Sequence, residues 1–147
     1  MLSRNRSERG ANLVEFAMIA PLLILLLVGV IDFSWTLATN LDVKQGAREG
    51  ARLTAVNFPD GGNAALAAEI CGRMDLVGSD PATSITWLSE DGTPDVGEGV
   101  RVTVSAPHET LTGLIDFFFS GMSTLDSTVE IRIEKPATWS DGTQLCP

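Results

Sequence analysis

The 147-residue chain carries a formal net charge of −9, and this charge is unevenly distributed. The first ten residues hold three arginines and one glutamate, so they are basic and the remainder sums to −11. This acidic remainder argues against nucleic acid as a partner, because phosphate backbones attract basic surfaces. The length favours one small domain.

A long apolar run follows the basic N-terminus. Phe16–Ile31 contains sixteen residues without a charge, and counting from Ala11 gives twenty-one residues with one charge. This length can span a bilayer, and the preceding basic residues predict a cytoplasmic N-terminus. The alternative is a cleaved secretory signal peptide. Its nearest cleavage motif, at residues 36–38, is poor because Thr36 occupies a position that prefers a small residue.

Glu15 lies at the start of this run, where a buried carboxylate costs on the order of 3 kcal/mol. In one interpretation Glu15 and Asp32 each lie near a membrane face, since seventeen residues of helix span roughly 25 Å. In the other, cleavage after Gly10 creates a free amine at Ala11. That amine would lie one helical turn from Glu15, where the two groups neutralise each other.

Residues 9–16, with the sequence RGANLVEF, resemble a type IV prepilin processing site. Glycine precedes the cut, glutamate is fifth after it, and an aromatic residue, Phe16, comes next. The continuation resembles the TadE family of tight-adherence pilus proteins over about the first 56 residues. The features that carry this resemblance are Pro21 in the apolar run, IDF at residues 31–33 and AREGAR at residues 47–52.

The resemblance implies that a membrane-embedded aspartyl prepilin peptidase cuts between Gly10 and Ala11. It also implies that Glu15, with Phe16 beside it, sets the register between subunits by pairing with a neighbour's new amine. From its chemistry, Pro21 is expected to bend the spanning helix and to help it pack in a bundle. The alternative is that Pro21 is simply tolerated there.

The helical pattern continues beyond the membrane as a single rod of about forty residues. Gly46 and Gly50 are small residues that let another element approach the backbone, either the chain's own domain or a neighbouring subunit. Lys44, Arg48 and Arg52 recur at four-residue spacing and form one basic stripe. This stripe is either a solvated face or a contact with an acidic surface of a neighbouring pilin.

The rest of the chain predicts a small α+β domain. We expect Asn63 to cap a second helix from Ala64 to Val77 that ends at Gly78, and a short helix at Leu111–Phe119. One residue of the Phe117–Phe119 trio could be exposed for docking. Alternating apolar residues and turn signals predict about three strands, at Ser84–Ser89, Val100–Ala106 and Thr128–Glu134.

Chemistry-bearing residues are sparse. Cys71 and Cys146 are candidates for a disulfide, which would stabilise the fold by roughly 4 kcal/mol through closure of a loop of about 75 residues; the alternative is two buried free thiols. His108 is expected at the surface or at a helix entry rather than in catalysis. The acidic turn at residues 90–98 lacks EF-hand spacing, so it predicts a hairpin connection instead of a metal site.

Together these observations predict four regions, namely a basic prepilin leader at 1–10, a transmembrane helix at 11–33, its extracytoplasmic extension at 34–56 and an α+β domain at 57–147. The predicted architecture is pilin-like, with a long N-terminal helix packed on a small antiparallel sheet. The predicted function is a TadE-like minor pseudopilin in the cytoplasmic membrane, and the alternative is a membrane-anchored extracytoplasmic binding module. Expected partners are the membrane, the prepilin peptidase, other pilin subunits and the assembly platform. We expect no enzymatic activity, cofactor, metal, nucleic acid or small-molecule substrate.

Overall fold

The computed structural model describes residues 5–113 and 124–147. The order of elements confirms the α+β class, with one very long helix, one short helix and four strands in the described part of the chain. In chain order these are α1 (Asn5–Ala55), α2 (Gly62–Cys71), β1 (Ser84–Ser89), β2 (Gly99–Pro107), β3 (Thr124–Arg132) and β4 (Gly142–Leu145).

Helix α1 contains 51 residues and is therefore about 75 Å long. It is longer than the predicted rod because it already begins at Asn5, before the apolar run. Its C-terminus has the Schellman hydrogen-bond pattern, in which the Phe58 N–H donates to the Leu53 carbonyl and the Asn57 N–H to the Thr54 carbonyl. Asn57 adopts the left-handed conformation (φ 50°) that stops the helix.

The four strands form one antiparallel sheet in the order β3-β2-β1-β4. The three predicted strands are present: β1 has the predicted ends, β2 is one residue longer at each end, and β3 begins and ends earlier than predicted. The prediction missed β4, a four-residue edge strand that pairs with β1. Its sequence, GTQL, has no apolar alternation, so its strand conformation depends on pairing with a distant segment.

The core lies between one face of this sheet and the C-terminal half of α1. Trp87 from β1 and Val102 from β2 are fully buried, as is Ala51 from α1. The opposite face of the sheet is solvent-exposed and polar; there Thr103 shares a hydrogen bond with Thr128 across β2 and β3. This difference between the two faces explains the alternation that predicted the strands.

The prediction for the second helix was wrong at both ends. Gly61 occupies the N-cap of α2 without a side-chain hydrogen bond, while the Asn63 side chain binds the backbone of Ser140 instead. The helix ends at Cys71 rather than Val77. The carboxylate of Asp42 on α1 accepts hydrogen bonds from three successive backbone N–H groups, those of residues 75–77, and these bonds hold the segment outside the helix.

The predicted helix at Leu111–Phe119 falls largely outside the described residues, and the Phe117–Phe119 trio lies wholly outside them. The three described residues of this prediction, 111–113, form a bend and not a helix.

Candidate functional site

The residues that resemble a prepilin processing site all lie on α1. Gly10, Ala11, Glu15 and Phe16 are exposed, and a Cβ atom added to Gly10 would meet no atom within 4 Å. Because Ala11 and Glu15 are four residues apart in a helix, they lie on the same face, one turn apart. Gly10 is inside the helix and not in an extended leader.

The apolar part of α1 is free of contacts with the domain. From Gly10 to Ile31 no residue is buried, although this stretch includes the most apolar part of the chain. Pro21 lies within this stretch, inside the continuous helix, where it removes one backbone donor. By length and composition α1 is suited to cross a membrane, and it is the one such helix among the described residues.

Burial begins abruptly at Asp32, whose side chain is completely inaccessible to solvent. Its Oδ1 accepts a hydrogen bond from the backbone N–H of Thr112 at 3.1 Å, and the Thr112 hydroxyl donates to Oδ2. Asp32 therefore receives hydrogen bonds from the loop after β2. The sequence signal was an acid at the end of the apolar run, but its partner is eighty residues away.

His108 belongs to the same contact between this loop and α1. Its Nε2 lies 3.5 Å from the hydroxyl oxygen of Thr36, one turn beyond Asp32. The ring is buried, and its Nδ1 has no hydrogen-bond partner among residues 5–113 and 124–147. The prediction of a surface or helix-entry histidine was therefore wrong, because the side chain of His108 is buried and lies against α1.

Gly46 and Gly50 are buried against the chain's own domain. A Cβ atom at position 46 would collide with the Met74 side chain, and one at position 50 would come within 3.2 Å of Ile70 Cδ1. Small residues at these two positions allow α2 and the segment after it to lie directly on the backbone of α1. This packing leaves neither glycine accessible to a second subunit.

The basic stripe divides into a paired and an unpaired part. Arg52 donates two hydrogen bonds to Glu49, at 2.6 and 3.0 Å, and Arg73 joins Glu49 to Glu69. The hydrogen bond from Arg52 is the main reason that the pKa of Glu49 is lowered, and the same contact raises the pKa of Arg52.

Lys44 and Arg48 are exposed on the same face of α1, and neither takes part in an ion pair within the described ranges. They line a shallow groove of about 920 Å³ together with Leu41 and the paired arginines. Among the described residues, the positive charge in this groove that is not paired with a carboxylate comes from Lys44 and Arg48, on a chain whose net charge is strongly negative.

Cys71 and Cys146 form a disulfide, with their Cα atoms 5.8 Å apart. The bond joins the last residue of α2 to the residue that follows β4. Both cysteines are buried in the core cluster. The disulfide thereby fixes the C-terminal edge strand to the part of the domain that packs on α1.

The acidic turn connects β1 to β2, as the hairpin interpretation predicted. When Glu98 is protonated, its carboxyl group can share a hydrogen bond with that of Asp91, and this raises the pKa of Glu98. The pKa of Asp91 is lowered, chiefly by the hydrogen bond that its side chain accepts from the Thr93 backbone N–H. No group of three or more metal-ligating side chains occurs here or elsewhere in the described residues.

A long exposed apolar helix near the N-terminus, with a small domain packed on its C-terminal half, suggests a single-pass membrane anchor. The profile of a family described as TadE-like protein matches residues 10–52, which are the greater part of α1. The resemblance drawn from the motifs is confirmed over this segment. No curated protein and no solved structure gives a significant match. The TadE-like helix and the anchor fit a pilus-associated, membrane-anchored protein.

Proposed function

We propose that the protein is a TadE-like minor pseudopilin, a structural component that resides in the cytoplasmic membrane and then joins or primes a pilus-assembly platform. The observation that carries this proposal is the family match, which begins at Gly10 and covers the exposed apolar helix and its extension. Its role is structural rather than enzymatic, and its domain faces the extracytoplasmic side.

The first step in this function is the removal of residues 1–10. Cleavage between Gly10 and Ala11 would place an ammonium group one turn from Glu15, on the same face of an exposed helix. This geometry supports neutralisation of Glu15 either by its own N-terminus or, in a bundle, by that of a neighbouring subunit. The exposed Phe16 next to it would add an apolar contact between the helices.

The second step is lateral association through the part of α1 beyond the membrane. Gly46 and Gly50 are occupied by the chain's own domain, so the exposed residues Lys44 and Arg48 are the stronger candidates for a partner contact. Their charge suits an acidic surface, and an acidic mature pilin of the same type would supply one. Arg52 would contribute less, because Glu49 already neutralises it.

The decisive experiment is intact-mass analysis and N-terminal sequencing after coexpression with a matching prepilin peptidase. The wild-type chain should begin at Ala11, and a Gly10→Leu variant should retain its first ten residues. The Glu15→Gln variant should be trimmed normally but should fail to enter the assembly. Glu130→Gln, which removes an exposed carboxylate from the outer face of the sheet, should be trimmed and assembled like the wild type.

An intact leader on the wild-type chain beside an active peptidase would contradict the pilin assignment. The binding-module alternative would then gain support if the domain engaged an envelope component without the rest of an assembly machine. A new N-terminus near Ala38 would instead identify the apolar run as a signal peptide.

The partner surface is tested separately by site-specific crosslinking to neighbouring subunits. A Lys44→Glu/Arg48→Glu variant should lose crosslinks while it remains folded and trimmed, because both side chains point into solvent. Lys135→Glu, an equally exposed charge reversal after β3, is the matched control. Unchanged crosslinking of the double variant would remove these residues from the interface.

A further inference from the structure

A groove of about 280 Å³ lies between α1 and two loops of the domain, close to the point where α1 leaves its apolar run. Trp35 and Thr39 form the α1 side of this groove, and Trp35 is the apolar residue of the two. Leu76 comes from the segment after α2, and Leu111 comes from the loop after β2. All three apolar side chains are at least one-third exposed, so they form an accessible apolar surface.

The height of the groove above the apolar run is set by helix geometry. Trp35 follows Ile31 by four residues, which places it about 6 Å further along the axis. A bilayer's interfacial layer has about this thickness on each side of its hydrocarbon core. Tryptophan is enriched in this layer, because its ring is apolar and its N–H is polar.

The loop that carries Leu111 is held at this height by Asp32. The hydrogen bonds between the Asp32 carboxylate and Thr112 fix the loop beside the first turn after the apolar run. The lipid-facing surface of α1 therefore continues into the groove, since Ile31 and Trp35 are both exposed and, four residues apart, lie on the same face of the helix.

The charges around the groove are of one sign. Asp80 and Glu109 line it, while none of residues 32–43, 74–82 and 107–113 is a lysine or arginine. An anionic lipid headgroup would be repelled here. The ammonium group of a zwitterionic headgroup would be attracted by both carboxylates and by the face of Trp35.

We propose that this groove binds the ammonium-bearing headgroup of a zwitterionic phospholipid in the same bilayer that α1 spans. The domain thus sits directly on the membrane surface and selects the lipids around its anchor. This inference rests on the membrane anchorage in the proposed function, but it is independent of cleavage after Gly10.

Quenching of tryptophan fluorescence by brominated lipids tests the proposal on the full chain in bilayer nanodiscs. Trp87 and Trp139 are 0% and 3% exposed, so lipid bromines should quench mainly Trp35. Bromines near the headgroup should quench this signal more strongly than bromines at the acyl-chain ends. The Trp35→Phe variant should lose most of the quenching.

Mixtures of brominated phosphatidylcholine with unlabelled phosphatidylglycerol then give the relative association constant of the two lipids at Trp35. The wild type should prefer phosphatidylcholine about two- to fivefold, as expected for exposed charge contacts. The Asp80→Asn/Glu109→Gln variant should lose this preference. A wild type without preference, or with preference for phosphatidylglycerol, would overturn the proposal.

A second reporter separates failure of this inference from failure of anchorage. In the Trp35→Phe background, Leu25→Trp places a tryptophan in the middle of the apolar run. If this reporter is quenched by deep bromines but Trp35 is not quenched by shallow ones, the helix is inserted and the groove is not a lipid site. If neither tryptophan is quenched, both the membrane anchorage and the lipid site are contradicted. In detergent, the solvent exposure of Trp35 can be followed as the protein concentration is raised. A decrease in this exposure would assign the groove to a second copy of the chain and would also overturn the proposal.

Discussion

The indole N–H of Trp87 donates a hydrogen bond to the hydroxyl of Thr54 across 2.9 Å, and both side chains are fully buried. This contact joins the centre of the sheet to the last turn of α1. The indole of Trp139 donates to the backbone carbonyl of the same threonine at 3.3 Å. Thr54 is therefore the point at which the sheet and the C-terminal segment meet the rod.

We expect Thr54→Val to lower the free energy of unfolding by about 1–3 kcal/mol, since it leaves the buried indole N–H of Trp87 without an acceptor. Thr103→Val, on the exposed face of the sheet, is the matched control and should cost less than about 0.5 kcal/mol. Thermal unfolding of the detergent-solubilised chain, followed by near-ultraviolet circular dichroism, measures both. Equal effects would show that the Trp87 contact contributes nothing specific.

The Asp42 carboxylate should protect the segment that follows α2 from local opening. Asp42→Ala removes the acceptor for the amides of residues 75–77, so their hydrogen exchange should accelerate on the order of five- to tenfold. Hydrogen–deuterium exchange with mass spectrometry resolves this segment. Asp126→Ala, on the outer face of β3, should leave its exchange unchanged. Unaltered exchange in Asp42→Ala would mean that packing of Met74 and Val77 suffices.

Loss of the Cys71–Cys146 disulfide should destabilise the domain by about 2–4 kcal/mol, because it closes a loop with a sequence separation of 75 residues. The Cys71→Ser/Cys146→Ser variant should unfold at a lower temperature and should not respond further to a reducing agent. The wild type should fall to the same midpoint on reduction. A reduced wild type with unchanged stability would contradict this prediction.

The acidic turn predicts a pH dependence of stability. The pKa of Glu98 is raised by its hydrogen bond with Asp91, so the folded state binds this proton more tightly than the unfolded state. The resulting stabilisation is present at acid pH, below the unfolded pKa, and is lost as the pH rises through the raised folded value. Glu98→Gln should therefore gain stability relative to the wild type as the pH increases.

Unfolding midpoints measured from acid to neutral pH test this expectation. Glu134→Gln, which removes an exposed carboxylate after β3, controls for the change in net charge. The difference between wild type and Glu98→Gln should be smallest at acid pH and largest at neutral pH. A constant difference across this range, or one that matches Glu134→Gln, would argue against a coupled pair.

Local patterns were sufficient to predict α1, β1 and β2, because an uncharged run and a strict alternation each favour one conformation. Contacts between distant residues could not be predicted in this way. The end of α2 depends on Asp42, the burial of Asp32 depends on Thr112, and β4 exists through its pairing with β1. Each involves a polar residue whose sequence neighbours do not indicate its partner.

The candidate partner surface shows the same division. The spacing of Lys44, Arg48 and Arg52 placed them correctly on one face of a helix, yet the neutralisation of Arg52 needed the position of Glu49 and its link to Arg73. Lys44 and Arg48 are therefore the stronger candidates for contact with a partner. Small residues at 46 and 50 signalled close packing, but the sequence could not decide which element would pack there.

Because α1 begins at Asn5, the peptide bond after Gly10 lies within a hydrogen-bonded helix. A protease that hydrolyses this bond must first unwind the surrounding turn, since a helical backbone denies water access to its carbonyl carbon. Glycine lowers the cost of that unwinding by about 1 kcal/mol relative to alanine. If the chain is cleaved there as proposed, the rate of cleavage would depend on how readily the first turns melt, and substitutions that strengthen this helical end should slow cleavage even where every recognised side chain is intact.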